Sequence, residues 1–183
     1  MIHNEELLRI ILDLGADKAG AVPVADIDFD PAFRRFCARN VCGVYGHNWM
    51  CPPHVGEIED LIAQAKQYHT ALVYQNVVPL EEGRDYASMM ASGAGLNQLT
   101  MALRRKFTEL GLTSCLFLGA GGCRICPRCA ILDDQPCRHP DLAMTSLEAY
   151  GINVSTLAQK AGMAYRNGDN TATFFGAVLL KEQ

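Results

Sequence analysis

The sequence predicts an α/β or α+β fold, a roughly four-stranded sheet flanked by helices and interrupted by two cysteine-rich loops. Three observations predict it. Short apolar runs bounded by Gly and Pro recur along the chain, as buried strands do. Between them lie segments with apolar residues at i, i+3, i+4 and i+7, the period of an amphipathic helix. Most of the cysteines gather in two Gly- and Pro-punctuated stretches, 37–54 and 119–140. At 183 residues the chain has the length of one domain, 1–183, with a core of its own.

Residues 5–14 follow Asn4, an N-cap residue, and stop at Gly15. Leu7, Leu8, Ile11 and Leu14 share a face there. Ala19 to Val24 reads as a short strand, which Pro23 places near an edge or an end, and 26–31 as a turn-rich exit. Gly56 to Tyr68 reads as a helix with Ile58, Leu61, Ile62 and Ala65 inward. Thr70 to Val78 is a strand ended by Pro79, and Glu81 and Glu82 open a loop. A long helix is expected over Tyr86 to Leu110, with Leu96, Leu99, Leu103, Phe107 and Leu110 on one stripe. Gly93 and Gly95 fit close helix packing better than a ligand's approach. Ser114 to Leu118 is a strand, Thr145 to Tyr150 a helical turn with a Thr145–Glu148 capping box. Asn153 or Ser155 caps a helix ending at Gly162, and Phe174 to Leu180 is the last strand.

The strand at 114–118 feeds directly into Gly119-Ala-Gly-Gly-Cys-Arg-Ile-Cys-Pro-Arg-Cys, and Pro136-Cys-Arg-His-Pro follows. Cys123, Cys126, Cys129 and Cys137 thus stand at C-x2-C-x2-C-x7-C spacing. Two-residue gaps let successive thiolates curl around one inorganic group, as in the bacterial iron–sulfur run with its more distant fourth cysteine beside proline. Zinc more often takes two separated C-x2-C pairs. The ladder therefore fits a 4Fe–4S cluster better than a lone zinc, with zinc and a plain thiol cluster as the alternatives. Neither G-x-G-x-x-G nor a P-loop lysine accompanies the glycines, so they read as backbone that wraps a cluster.

Cys37, Cys42 and Cys51 lie in the other loop, with the only tryptophan, Trp49, and Pro52-Pro53 behind. Three thiols within so short a loop read as a second metal site. The alternative is a compact loop whose cysteines are small hydrophobes. His47 and His54 read as loop hydrogen-bonders, and Cys115, among Leu and Phe, as core filler rather than a ligand.

The residues Cys42-Gly-Val-Tyr-Gly-His-Asn-Trp-Met-Cys-Pro-Pro, Gly122-Cys-Arg-Ile-Cys-Pro-Arg-Cys, Pro136-Cys-Arg-His-Pro and Ser146-Leu-Glu-Ala-Tyr-Gly-Ile-Asn-Val resemble the family of predicted metal-binding proteins called domain of unknown function 2284. The resemblance covers almost the whole chain and implies metal binding. Cys37 departs from it, standing further from the next cysteine than the family pattern has it. More weakly, Leu14-Gly-Ala-Asp-Lys-Ala-Gly-Ala-Val-Pro-Val is similar to the opening of epoxyqueuosine reductases and reductive dehalogenases, which implies redox chemistry. The chain is too short for their full corrinoid-binding domain.

A net charge of −4 gives no reason to expect nucleic acid. No leader pattern opens the chain and no apolar run reaches membrane-spanning length. Eight cysteines in such a chain point to metal in a reducing cytoplasm rather than to disulfides. No Ser/His/Asp set, nucleophile elbow or paired-carboxylate motif is visible. The expected function is redox: one or two clusters exchanging electrons with a redox partner protein or a small-molecule substrate. Arg124, Arg128, Arg138 and His139 would stabilise a reduced cluster or form a solvated basic face. A non-redox enzyme using an open iron as Lewis acid or sulfur carrier is the second reading, and a zinc-stapled binding protein the third.

Overall fold

The computed structural model describes residues 2–80 and 93–181. Among them five strands form one mixed sheet in the order β1-β2-β5-β3-β4. The strands are β1 (Lys18–Pro23), β2 (Thr70–Pro79), β3 (Cys115–Gly119), β4 (Thr145–Ser146) and β5 (Thr171–Leu180). The first three neighbouring pairs are antiparallel, and β3 and β4 are parallel.

Helices cover both faces. On one, α1 (Asn4–Asp13) and α4 (Ala94–Glu109) bury Leu7, Ile11, Leu96, Leu99, Leu103 and Phe107 against Leu72, Tyr74 and Val178. On the other, α3 (Ile58–Ala65) and α5 (Val154–Lys160) pack Ala65, Leu157 and Ala158 on Val73, Phe175, Ala177 and Leu179. The period-2 alternation of β2 and β5 thus sends consecutive residues into separate cores. Gly176 faces Tyr74 across β5 and β2; a Cβ there would come within 2.6 Å of the Tyr74 ring, whose hydroxyl bonds Thr100 at 2.7 Å.

The segment that resembles epoxyqueuosine reductases has a structural account. Gly15 turns the chain at φ +108°, Asp17 accepts the amide of Val77, and Gly20 lets the backbone of Ala161 approach. As Pro23 suggests, β1 is an edge strand, pairing only with β2.

Several boundaries differ from the expectation, each for a local reason. The cap position of α1 is His3 rather than Asn4, and it makes no side-chain cap. Asp30 accepts the amide of Ala32 and, with Pro31 at the first position, starts a 3-10 turn that runs into a fifth helix, α2 (Arg34–Ala38). That helix is too short for periodicity to reveal, and it takes Cys37 out of the loop. Thr145 is in β4, and the capping role passes to Ser146, whose hydroxyl accepts from Ala149 at the start of the 3-10 turn Glu148–Tyr150. Asn153 does cap α5, accepting from Ser155 and Thr156. A Cβ on Gly95 would meet nothing within 4 Å, so close packing does not explain that glycine. Glu81, Glu82 and the expected helix start at Tyr86 lie outside the described residues. No helix among the described residues is long and apolar enough to cross a membrane.

Candidate metal centre

β2, β3 and β4 end at the same side of the sheet, where the first half of β5, Thr171–Phe175, runs on past β3. In open α/β sheets this carboxyl end is where ligands are held. Both cysteine loops gather there. Cys115 does not: it begins β3, four residues and about 13 Å from Gly119. Its thiol donates to the Leu112 carbonyl at 3.4 Å and packs against the α1–α4 core, and burial pushes it up to about 11.

After Gly119 the ladder turns on Gly121 (φ +68°) and closes through a 3-10 turn, Ala130–Asp133, ended by Asp134 in the left-handed region. Cys123, Cys126, Cys129 and Cys137 line one cavity together with Asn48, Trp49 and Met50 from the other loop. Its free volume is about 20 Å³, room for about one water. Arg138 and His139 also line it. Of the flanking cations, Arg128 and Arg138 pair with Asp133 at 2.8 and 3.8 Å, so part of their charge is answered locally. A cation the sequence did not single out is Arg104 of α4. It stacks 4.9 Å from the Phe117 ring centroid, donates to the Asp141 carbonyl, and feels the charge of Cys123, while its Nε is buried without a partner. A lone arginine on a long helix stripe carries no local signal for this role.

The N-terminal loop is folded by its own backbone. Asn40 (φ +50°) accepts the amide of Tyr45, and Gly46 (φ +74°) donates to the Pro52 carbonyl. Arg34 ties the preceding helix to this region, donating to the carbonyls of Gly56 and Ala149. Cys37 and Cys42 open onto a cleft, while Cys51 is buried. Burial, then Glu148 and Cys42, push the Cys37 thiol up, and Arg34 opposes them. Cys51 is pushed up to about 12, by burial first and then by Cys42, Cys37, Cys123 and Cys129. His54 packs its ring edge on Trp49, 5.4 Å between centroids.

Cys51 marks the junction of the two loops. The Trp49 amide donates to Cys129 Sγ at 3.4 Å, the Trp49 indole to the Gln135 carbonyl at 3.0 Å, and the Asn48 amide group to the Cys123 carbonyl at 2.9 Å. A Cβ on Gly122 would stand 3.1 Å from Val44 and 3.4 Å from Cys51 Sγ, so only glycine fits without displacement. Seven of the eight thiols therefore occupy one end of the sheet, in two groups that touch. A family model described as predicted metal-binding protein, DUF2284, matches residues 20–180.

The chain belongs to the DUF2284 family. No curated protein and no solved structure matches it. The family is described as predicted to bind metal, and the donor set fits one: thiolates suit zinc and iron–sulfur clusters, while Mg²⁺ and Ca²⁺ take oxygen. Among the described residues no three His, Cys, Asp or Glu side chains converge closely enough to hold a single ion. The four ladder thiols line one small cavity without such a convergence.

Proposed function

We propose that this DUF2284 protein is an iron–sulfur protein that exchanges electrons with a redox partner or small-molecule substrate. Cys123, Cys126, Cys129 and Cys137 would hold a 4Fe–4S cluster, and Cys37, Cys42 and Cys51 a second centre. The observation that carries the reading is that the four ladder thiols line one cavity, with a backbone amide directed at Cys129. A cluster takes each thiolate on a different iron, and a C-x2-C-x2-C ladder with a distant fourth cysteine is the spacing that serves it, whereas zinc draws four sulfurs to about 2.3 Å from one centre. The cavity of about 20 Å³ has to widen to admit the cluster. Bound there, the cluster supplies one-electron chemistry. The protein's own contributions are separate. The Trp49 amide offsets negative charge at Cys129, Arg104 places a half-buried cation within range of Cys123, and Trp49 with Met50 limits water. Amide donors and cations of this kind favour the reduced state.

The test is iron, acid-labile sulfide and zinc analysis of protein purified without oxygen, with EPR of the dithionite-reduced sample. Iron and sulfide in equal amounts with an EPR signal support the proposal. Stoichiometric zinc without sulfide overturns it and leaves the metal as a structural staple.

A further inference from the structure

The ladder cavity and the space over the N-terminal thiols differ by a wide margin. The first has about 20 Å³ of free room, the second about 1250 Å³. A cleft of that size accommodates a whole small molecule, since ligand sites run to roughly 300–1,000 Å³. Cys37 and Cys42 line it together with Thr171–Phe175 of β5. The lining also includes an aromatic pair. Tyr165 stacks on Phe175 with ring centroids 5.8 Å apart and planes within 12°, yet keeps 46 % of its surface exposed. Phe36, also on the cleft, is 58 % exposed. Large aromatic rings left open inside a concave site are rare on a surface without a ligand to cover them.

Charge gives the second constraint. Arg166 follows Tyr165 in the chain and lines the same cleft, with Arg124 from the ladder also on its wall. Asp169 and Glu148 line it too, so the cleft is not uniformly basic. Arg166 is the lining cation next in sequence to Tyr165, and its planar fork matches a carboxylate.

We propose that this cleft is the binding site for a small planar aromatic anion, its ring on Tyr165 and its carboxylate-type group at Arg166, held beside Cys37 and Cys42. The assignment rests on the reading of those thiols as a metal centre for its chemical consequence, but not for the binding itself. It gives the two cysteine groups different work: one borders a ligand cleft, the other a cavity of about 20 Å³.

The experiment is isothermal titration of the purified holoprotein with 2-naphthoate, its neutral amide 2-naphthamide, the cation 2-naphthylmethylammonium and the non-aromatic cyclohexanecarboxylate. Metal and sulfide are measured on the same preparation. The expected order puts 2-naphthoate first, with each of the others at least about tenfold weaker. Arg166→Gln and Tyr165→Ala should each weaken 2-naphthoate by about tenfold. Arg166→Gln, at an exposed position, should keep the wild-type thermal midpoint, and Tyr165→Ala, which loses the stack on Phe175, should lower it by only a few degrees. No binding of 2-naphthoate, preference for the cation, or binding indifferent to both substitutions overturns the assignment. Zinc in place of iron with the expected binding order would overturn the redox reading alone. Iron and sulfide without binding would overturn the cleft alone.

Discussion

The two cysteine loops have nearly the same ingredients, and all but one of their thiols are half-buried, yet the spaces beside those thiols differ. The ladder, entered from β3, turns its four half-buried thiols toward a small cavity that Asn48, Trp49 and Met50 also line. On the N-terminal side, Cys37 in α2 and Cys42 in the loop after it line a large cleft, and only Cys51, at the seam with the ladder, is buried. Thiol count alone does not separate a relay from a reacting centre. What separates them is the space beside the thiols, which residues from elsewhere in the chain help to line.

The largest effect expected is from the ladder. Cys126→Ser should strip the ladder of its metal and lower the thermal midpoint by well over the roughly 2–4 °C that about 1 kcal/mol gives in a domain of this size, because metal binding there is folding free energy. An unchanged midpoint in a variant shown to have lost its metal would break the comparison at its root. Cys42→Ser should do less. On the two-site reading it removes about half the iron and leaves the ladder's spectrum intact; loss of all the iron, or of none, would mean one shared site. Gly122→Ala tests the seam. Its Cβ presses Val44 and Cys51 apart by a few tenths of an ångström, an overpacking that costs about 1–3 kcal/mol, and it should loosen metal from both loops together. If only one loop loses metal, the two are independent.

The smallest effect belongs to Cys115, outside both loops. Cys115→Ala should leave metal content unchanged. In wild type its thiol, pushed up to about 11, should alkylate slowly at pH 8 and faster as pH climbs toward that value. Any contribution of this raised value to stability is full below the ordinary thiol range and is lost as pH passes about 11.

Much of this was legible beforehand, and the exceptions share a cause. The stripe of α4, the strand at 70–78 and the ladder spacing each repeat a signal over enough residues to be read. Elements of two to five residues do not: β4 and α2 show no period, and what fixes them is tertiary, a pairing with β3 and a cap from Asp30. At the site, spacing marked the thiols but not their surroundings. Arg104 comes from α4 and Tyr165 from the turn before β5, and nothing near either residue in the chain contains a cysteine. Which cysteine group faces a cleft depends on those distant residues.

β4 has one further consequence. Parallel neighbours need a long connection, and in most sheets a helix makes that return journey. Here the connection from Gly119 to Thr145 is the ladder itself, and β4 is held to β3 by only two register pairs, with the Leu147 amide reaching the Gly119 carbonyl at 3.1 Å. The sheet's outermost strand is therefore hung on whatever fills the ladder. Its grip works as a gauge: the exchange rate of the Leu147 amide should report, from inside the sheet, whether the inorganic group is in place.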